Sequence, residues 1–357
     1  MKDKKISSII QRILLSAVLI FLVFYTTLPA INLRDRSFII FLMISIAIIL
    51  FVNFLSYMKV FLEGLNQGGI HGFHGISGAD IARPVKYGLG LIVILAAVYC
   101  VASLAGLKLF NASRYRDLIT INEGSFTEDI SEISMSQIPV VDKDTASRLG
   151  NRKLGEMTEL VSQFEIEEDY TQINYQGAPY RVTPLAYADP IKWLFNMQEG
   201  LPAYITVDMV SQETNLVWLE SGMKYSPSEY FFRNIYRYLR FSYPTKMFDI
   251  VSFEIDDNGT PYWVAPTIAY RVGWWDGKDI NGAVLVNAVT GESQYYPKEE
   301  VPQWIDQLYD SDLIISQLDD NGLFQHGYFN SIFGQKDVRR TTYGYNYLAM
   351  DDGVYLY

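Results

Sequence analysis

Hydrophobic residues along this chain fall into two regimes that change near residue 107. Before that point they form long uncharged runs at 13–31, 38–58 and 87–107. Each run has about 20 residues, the length at which a helix crosses a hydrocarbon core of roughly 30 Å. The pattern therefore predicts three transmembrane helices. A buried core helix or a cleaved leader would explain one such run, but the first is too long for a leader, lacks an Ala-x-Ala site and is followed by two more. Beyond residue 107 the apolar runs shorten and turn residues interrupt them. Residues 108–116 read as a linker, and 117–357 as an exported domain.

In that domain, strands are predicted at 118–122, 161–166, 170–175 and 180–183, the last two joined by a Gln176-Gly177 turn. A short helix at 143–149 is stopped by Gly150. Ser226-Pro227-Ser228-Glu229 combines an N-cap hydroxyl, a proline at the first helical position and a glutamate three residues on. That is a capping box, and it predicts a helix running to about Arg240. Phe231, Ile235, Tyr238 and Leu239 share one face of this helix, and Arg233, Arg237 and Arg240 another. Residues 204–219 read as strand, turn and strand leading into it. Residues 283–296 repeat the pattern through Val289-Thr290-Gly291-Glu292 and lead into a helix at 302–309. Two such ββα units about 80 residues apart predict an antiparallel α+β domain. A further hairpin over 252–272 turns at Asp256-Asp257-Asn258-Gly259, and Asp319-Asp320-Asn321-Gly322 reads as another β-turn. The first acidic turn lacks the ligand spacing and distal glutamate of a calcium loop. Val354-Tyr355-Leu356-Tyr357 reads as a strand, either paired centrally or truncated.

Charge divides at the same boundary. Of 29 basic and 40 acidic residues, the first 107 positions hold nine and four, a net of +5, leaving a net of −16 for the remainder. An acidic domain with this aromatic load is globular rather than disordered and repels phosphates, which excludes nucleic acid as a partner. Cys100, in the third run, is the only cysteine, so the exported part holds no disulfide. Lys2, Lys4, Lys5 and Arg12 precede the first span, and Lys59, Arg83 and Lys86 lie in the loop at 59–86. Arg34, Arg36, Lys108, Arg114 and Arg116 fall on the other side. This excess predicts a cytoplasmic N-terminus and an extracytoplasmic C-terminal domain in a multi-pass protein of the cell membrane. No ionisable group interrupts the three runs, which argues against transport by this chain alone. Ala102 and Gly106 form a small-xxx-small pair that permits close helix approach.

Candidate chemistry is sparse. His71 and His74 in the glycine-rich loop have only Glu63 and Asp80 near them in sequence, too few ligands for a metal site. His326 is the one histidine of the exported part, so a Ser-His-Asp arrangement has a single candidate base. Ser221-Gly222-Met223-Lys224 fits the S-x-x-K pattern. Chance supplies about one such match at this composition, and K-T-G is absent, so it reads as a strand-to-helix connection. Glu165, Glu167, Glu168 and Asp169 offer paired carboxylates of the kind glycosidases use, with adjacency uninformative in so acidic a domain. No catalytic, cofactor-binding or metal-binding residue is assigned. The candidate binding surface is the arginine stripe of Arg233, Arg237 and Arg240, suited to an anionic polymer or lipid headgroup, with Trp274 and Trp275 as aromatic contacts.

Four strings carry a wider likeness. They are Arg148-Leu149-Gly150-Asn151-Arg152-Lys153-Leu154-Gly155, Tyr170-Thr171-Gln172-Ile173-Asn174-Tyr175, Gly222-Met223-Lys224-Tyr225-Ser226-Pro227-Ser228-Glu229 and Gly344-Tyr345-Asn346-Tyr347. On these, residues 142–357 resemble an uncharacterised family of multi-span membrane proteins from Gram-positive bacteria, which implies no particular activity and a longer C-terminus. Residues 282–296 resemble the strand-Asn-Ala-x-Thr-Gly-Glu-strand signature of PepSY-type modules, which implies a non-catalytic binding fold. The expectation is a membrane-anchored recognition or scaffold protein whose exported domain binds a protein or wall component. The alternatives are a cell-wall-active hydrolase using carboxylates such as Glu165 and Glu168, and an accessory subunit of a membrane transport or secretion complex.

Overall fold

The computed structural model describes residues 2–66, 78–122, 124–125, 138–342, 344, 347–350 and 353–356. The chain divides into two compact units. The first holds Met1–Leu107 together with two short segments from later in the chain, Tyr243–Thr245 and Gly273–Trp275. The second holds Lys108–Ser242, Lys246–Val272 and Asp276–Tyr357.

Three helices make up most of the first unit: α1 (Lys2–Thr27), α2 (Arg36–Asn66) and α3 (Gly78–Ala105). Their apolar stretches, Ile9–Thr27, Arg36–Met58 and Arg83–Ala105, contain 19, 23 and 23 residues. At 1.5 Å per residue these are about 28 to 35 Å long, enough to cross a bilayer. The first stretch therefore starts and ends earlier than the apolar run suggests. Leu28 precedes Pro29, and a residue before proline is driven out of the helical region. Leu28 sits outside that region, at φ +47, and α1 stops at Thr27. The shift brings Arg12 inside the first stretch, where its guanidinium donates to Asn53 Oδ1 at 3.1 Å and lies over Tyr57. With Arg36, Arg83 and Lys86 inside the other two stretches, that arginine corrects the reading of spans free of ionisable groups. Asp35 organises the turn before α2, accepting from Ala30 N and Ser37 N at 2.8 Å each.

The two inserted segments are bonded to that turn. Ile31 N donates to Pro244 O and Asn32 Nδ2 to Thr245 O. Both indoles of Trp274 and Trp275 donate to Leu33 O, at 2.9 and 3.1 Å. Trp275 is buried against Ile39 and Ala102 and lies 5.2 Å from the Tyr99 ring. A Cβ on Gly273 would stand 2.8 Å from Gly106 Cα. The Ala102 and Gly106 pair thus admits this loop beside Ile39 of α2.

In the second unit, residues 108–116 form helix α4 (Lys108–Arg116). Ala112 and Tyr115 pack with Val272 and Phe324, and Lys108 pairs with Asp320 at 2.6 Å. Residues 118–122 form no strand. Helix α5 (Lys143–Gly155) is capped by Asp142, whose carboxylate accepts from Thr145 N, and runs past Gly150. Gly150 persists inside this helix because the Tyr170 hydroxyl lies over it, 2.0 Å from where a Cβ would sit. Gly150→Ala, which gains about 1 kcal/mol in an open helix, is therefore expected to destabilise by about 1–2 kcal/mol through overpacking. Adding Tyr170→Phe should recover most of that loss in a denaturant titration; no recovery would show that the contact is not the cause.

Two antiparallel sheets follow. The first comprises β1 (Phe164–Ile166), β2 (Thr171–Tyr175), β3 (Ala178–Tyr187), β4 (Leu201–Asp208) and β5 (Thr214–Met223). One edge of β3 takes both β1 and β2, and β4 then β5 lie beyond the other. The second has β6 (Ser252–Ile255), β7 (Pro261–Val272), β8 (Asp276–Asn287) and β9 (Ser293–Pro297) in that order. Both contain a four-strand meander, and their last turns are built alike. Asp208 Oδ1 accepts from Val210 N and Ser211 N, and Asn287 Oδ1 from Val289 N and Thr290 N. Asp208 N donates to Glu213 O, and Asn287 N to Glu292 O. Gln212 and Gly291, at equivalent places, both have positive φ. Interlocking aromatics join the sheets: Phe253 of β6 meets Tyr204 and Trp263, and the Tyr204 hydroxyl donates to Gly259 O at 2.9 Å.

Helices α6 (Pro190–Asn196), α7 (Ile235–Ser242) and α8 (Ser311–Leu323) and the hairpin of β10 (Tyr347–Met350) with β11 (Gly353–Leu356) complete the unit. No regular helix forms at 302–309, and the Asp319–Gly322 sequence lies inside α8 rather than in a β-turn. Asp320 is buried there and paired with Lys108, so a tertiary contact overrides the local turn preference.

Candidate functional site

The helix expected from Ser226 begins only at Ile235. Glu229 N does reach Ser226 Oγ, at 3.2 Å, as in a capping box. The Glu229 carboxylate instead points into the protein, accepting from the Tyr187 hydroxyl and Trp193 Nε1 at 2.8 Å each. This buried carboxylate anchors α6 to β3, and burial pushes its pKa up. The three arginines consequently share no exposed face. Arg233 donates to Met197 O, and Arg240 is buried, donating to Lys246 O beneath the Phe248 ring. Trp274 and Trp275 belong to the first unit, where both indoles donate to Leu33 O.

A polar cleft of about 310 Å³ opens where the two sheets meet along β2 and β6. Its walls come from the start of α5, the segment between β1 and β2, the chain entering β6, and residues 307–311. Lys143 and Asp169 form an exposed ion pair at 2.7 Å, while Arg181 is turned to Val141 O and Tyr170 O. Glu167, half-buried, is held above the usual carboxylate range by burial and then by the neighbouring Asp169. Gln172 is 4% exposed, and its Nε2 has no hydrogen-bond partner among the described residues. A buried amide hydrogen left unmade costs on the order of 1–3 kcal/mol.

Behind the cleft a buried carboxyl pair ties the sheets together. Glu254 on β6, fully buried, accepts from Asp306 N at 2.9 Å, Gln307 N at 3.2 Å and Ser252 Oγ at 3.1 Å. Asp306 Oδ2 accepts from Asn174 N at 2.5 Å, and Gln307 Nε2 donates to Gln172 O at 2.9 Å. Asp306 and Gln307 thus occupy the open edge of β2 much as a neighbouring strand would. Burial, reinforced by Asp306, pushes Glu254 up to about 8, and burial pushes Asp306 up to about 7. Neither residue stood out in the sequence. Glu254 lies in a strand of only four residues, too short for its alternation to mark an inward acid.

The other candidates are scattered. Glu165 and Glu168 are exposed. Ser221 and Lys224 sit at the end of β5 and just beyond it, with no helix start beside them. His326 bonds Asp337 at 2.8 Å on the surface. His71 and His74 lie outside the described residues. Among the described residues no group of three or more His, Cys, Asp or Glu side chains is placed to hold a metal ion.

These observations define a chain of three membrane-length apolar helices joined to a domain of two antiparallel sheets with a polar cleft between them. Comparison with protein families, curated proteins and solved structures finds no match.

Proposed function

We propose that this is a membrane-anchored recognition protein whose second unit binds its partner, a protein or cell-wall component, through the cleft between the two sheets. The supporting observation is the cleft itself, lined by Gln172, whose buried side-chain amide has no partner among the described residues while its carbonyl and the Asn174 N–H beside it on β2 are both bound. The matched turns at Asp208 and Asn287 support reading the unit as a tandem of PepSY-like binding modules. Glu165 and Glu168 are both exposed, which lends nothing to a hydrolase. In this reading the N-terminus is cytoplasmic and the second unit extracytoplasmic, as the basic residues flanking the spans favour.

A photoreactive phenylalanine analogue at Tyr236, an exposed residue on the cleft wall, tests the role in intact cells. Adducts with an envelope component are expected there and not from the same analogue at Thr214 on edge strand β5. Equal labelling at both sites, or none, would remove the cleft from consideration. Cysteines placed at Ser8 and Ser125 report orientation, with external labelling expected only at Ser125.

A further inference from the structure

Helix α6 presents its apolar side outward. Ile191, Leu194 and Phe195 stand at i, i+3 and i+4, the spacing of one helix face, yet all three are exposed and the helix buries no residue. Polar bonds hold it in place: Asp189 accepts from Ile191 N and Lys192 N, and Trp193 Nε1 donates to the buried Glu229. The Trp193 ring also lies 4.6 Å from Tyr230 and 6.0 Å from Phe231, and Phe232 meets Phe241 of α7 at 5.3 Å. The apolar face therefore continues from α6 across residues 230–232 to the end of α7. Phe231 has φ +52 and is 63% exposed. A bulky residue keeps a costly left-handed backbone there, while most of its ring stays outside the protein.

Charge and connectivity name what covers this face. Residues 190–197 and 230–242 contain Lys192, Arg233, Arg237 and Arg240 and no Asp or Glu, in a unit that is otherwise strongly acidic. Aromatic and aliphatic side chains beside basic ones are the composition of a surface seated in a bilayer interface, where apolar groups enter the acyl boundary and cations meet phosphates. Phe241 is three residues from Pro244, whose carbonyl accepts from Ile31 N just beyond the first membrane-length stretch. Three residues reach about 11 Å at most, so the chain that carries the face is fastened at the end of a span. We infer that the face formed by α6 with Phe231, Phe232 and Phe241 docks on the surface of the phospholipid bilayer, a second and interfacial membrane contact independent of whatever the cleft binds.

The test uses the full chain with Cys100→Ser and a single cysteine carrying the fluorophore NBD, in nanodiscs of phosphatidylcholine and phosphatidylglycerol. Leu194→Cys puts the label on the face, and Asn215→Cys puts it near the turn of the β4–β5 hairpin, at the end away from α6. Phospholipid with a doxyl group near the top of its acyl chain should quench the first label by at least about half and the second by little. Adding Phe195→Glu and Phe231→Asn, both at exposed positions and the second tolerant of positive φ, should bring quenching of the first label down to the level of the second. A Leu194→Cys label that lipid leaves unquenched and aqueous iodide reaches would overturn the proposal. So would one shielded from both quenchers, since a protein partner or a second copy would then cover the face. Equal quenching at the two positions, or quenching that survives the double substitution, would overturn it as well.

Discussion

Replacing Glu254 with alanine should destabilise the second unit by about 3–5 kcal/mol at pH 5, combining a buried cavity with orphaned backbone donors. The Asp306 and Gln307 amides lose their acceptor together, and with them the clamp on β2. Glu254→Gln keeps one acceptor oxygen and should lose only about 1–3 kcal/mol. The deficits depend on pH in a direction fixed by the raised pKa values. Between the ordinary carboxylate range and about 8, native Glu254 keeps a proton that the unfolded chain has released. Its contribution to stability is complete below the unfolded value and is lost as pH rises towards the folded one, by up to about 1.4 kcal/mol per pH unit for each such proton. Asp306 adds a second window ending near 7. The wild type should therefore weaken from pH 5 to 8 more steeply than Glu254→Ala, and the gap between them should narrow. Denaturant titrations followed by tryptophan fluorescence at pH 5, 6.5 and 8 measure both; a gap that widened with pH would mean that Glu254 is buried as an anion.

Trp275→Ala should have a comparable effect on the first unit, about 3–5 kcal/mol for a buried tryptophan. The indole is 3% exposed, packs on Ile39, Ala102 and Tyr99, and donates to Leu33 O. Trp274 shares that acceptor but is 49% exposed, so Trp274→Ala should lose only the net worth of a hydrogen bond, about 1 kcal/mol. Thermal loss of helical circular dichroism in detergent gives the ranking, and equal effects would sink the packing argument.

The three apolar helices are legible from composition because the preference of a segment for lipid sums over about 20 side chains, and no single residue decides it. Hairpins with a turn signature at their centre are equally plain, as at Gln176-Gly177 and Asp256–Gly259, because positive φ restricts the residue types allowed. The Ser226 segment misleads because its local grammar is satisfied in part: the hydroxyl takes the amide, yet tertiary partners claim the glutamate. Asp319–Gly322 misleads in the opposite sense, since Lys108 holds a turn-like sequence within a helix. Glu254, Asp306 and Gln172 carry the cleft but show no spacing to find them by. They stand on separate segments, and only the pairing of β2 against residues 306–307 brings them together.

The bonds from Trp274 and Trp275 to Leu33 join residues 241 and 242 positions apart. At a synthesis rate of about 5–20 residues per second, the Leu33 carbonyl waits roughly 10 to 50 seconds for its indole partners to emerge. Throughout that interval the packing of α2 and α3 around Trp275 is unfinished. The first unit therefore completes its packing only after residues 108–242 and 246–272 of the second have been made.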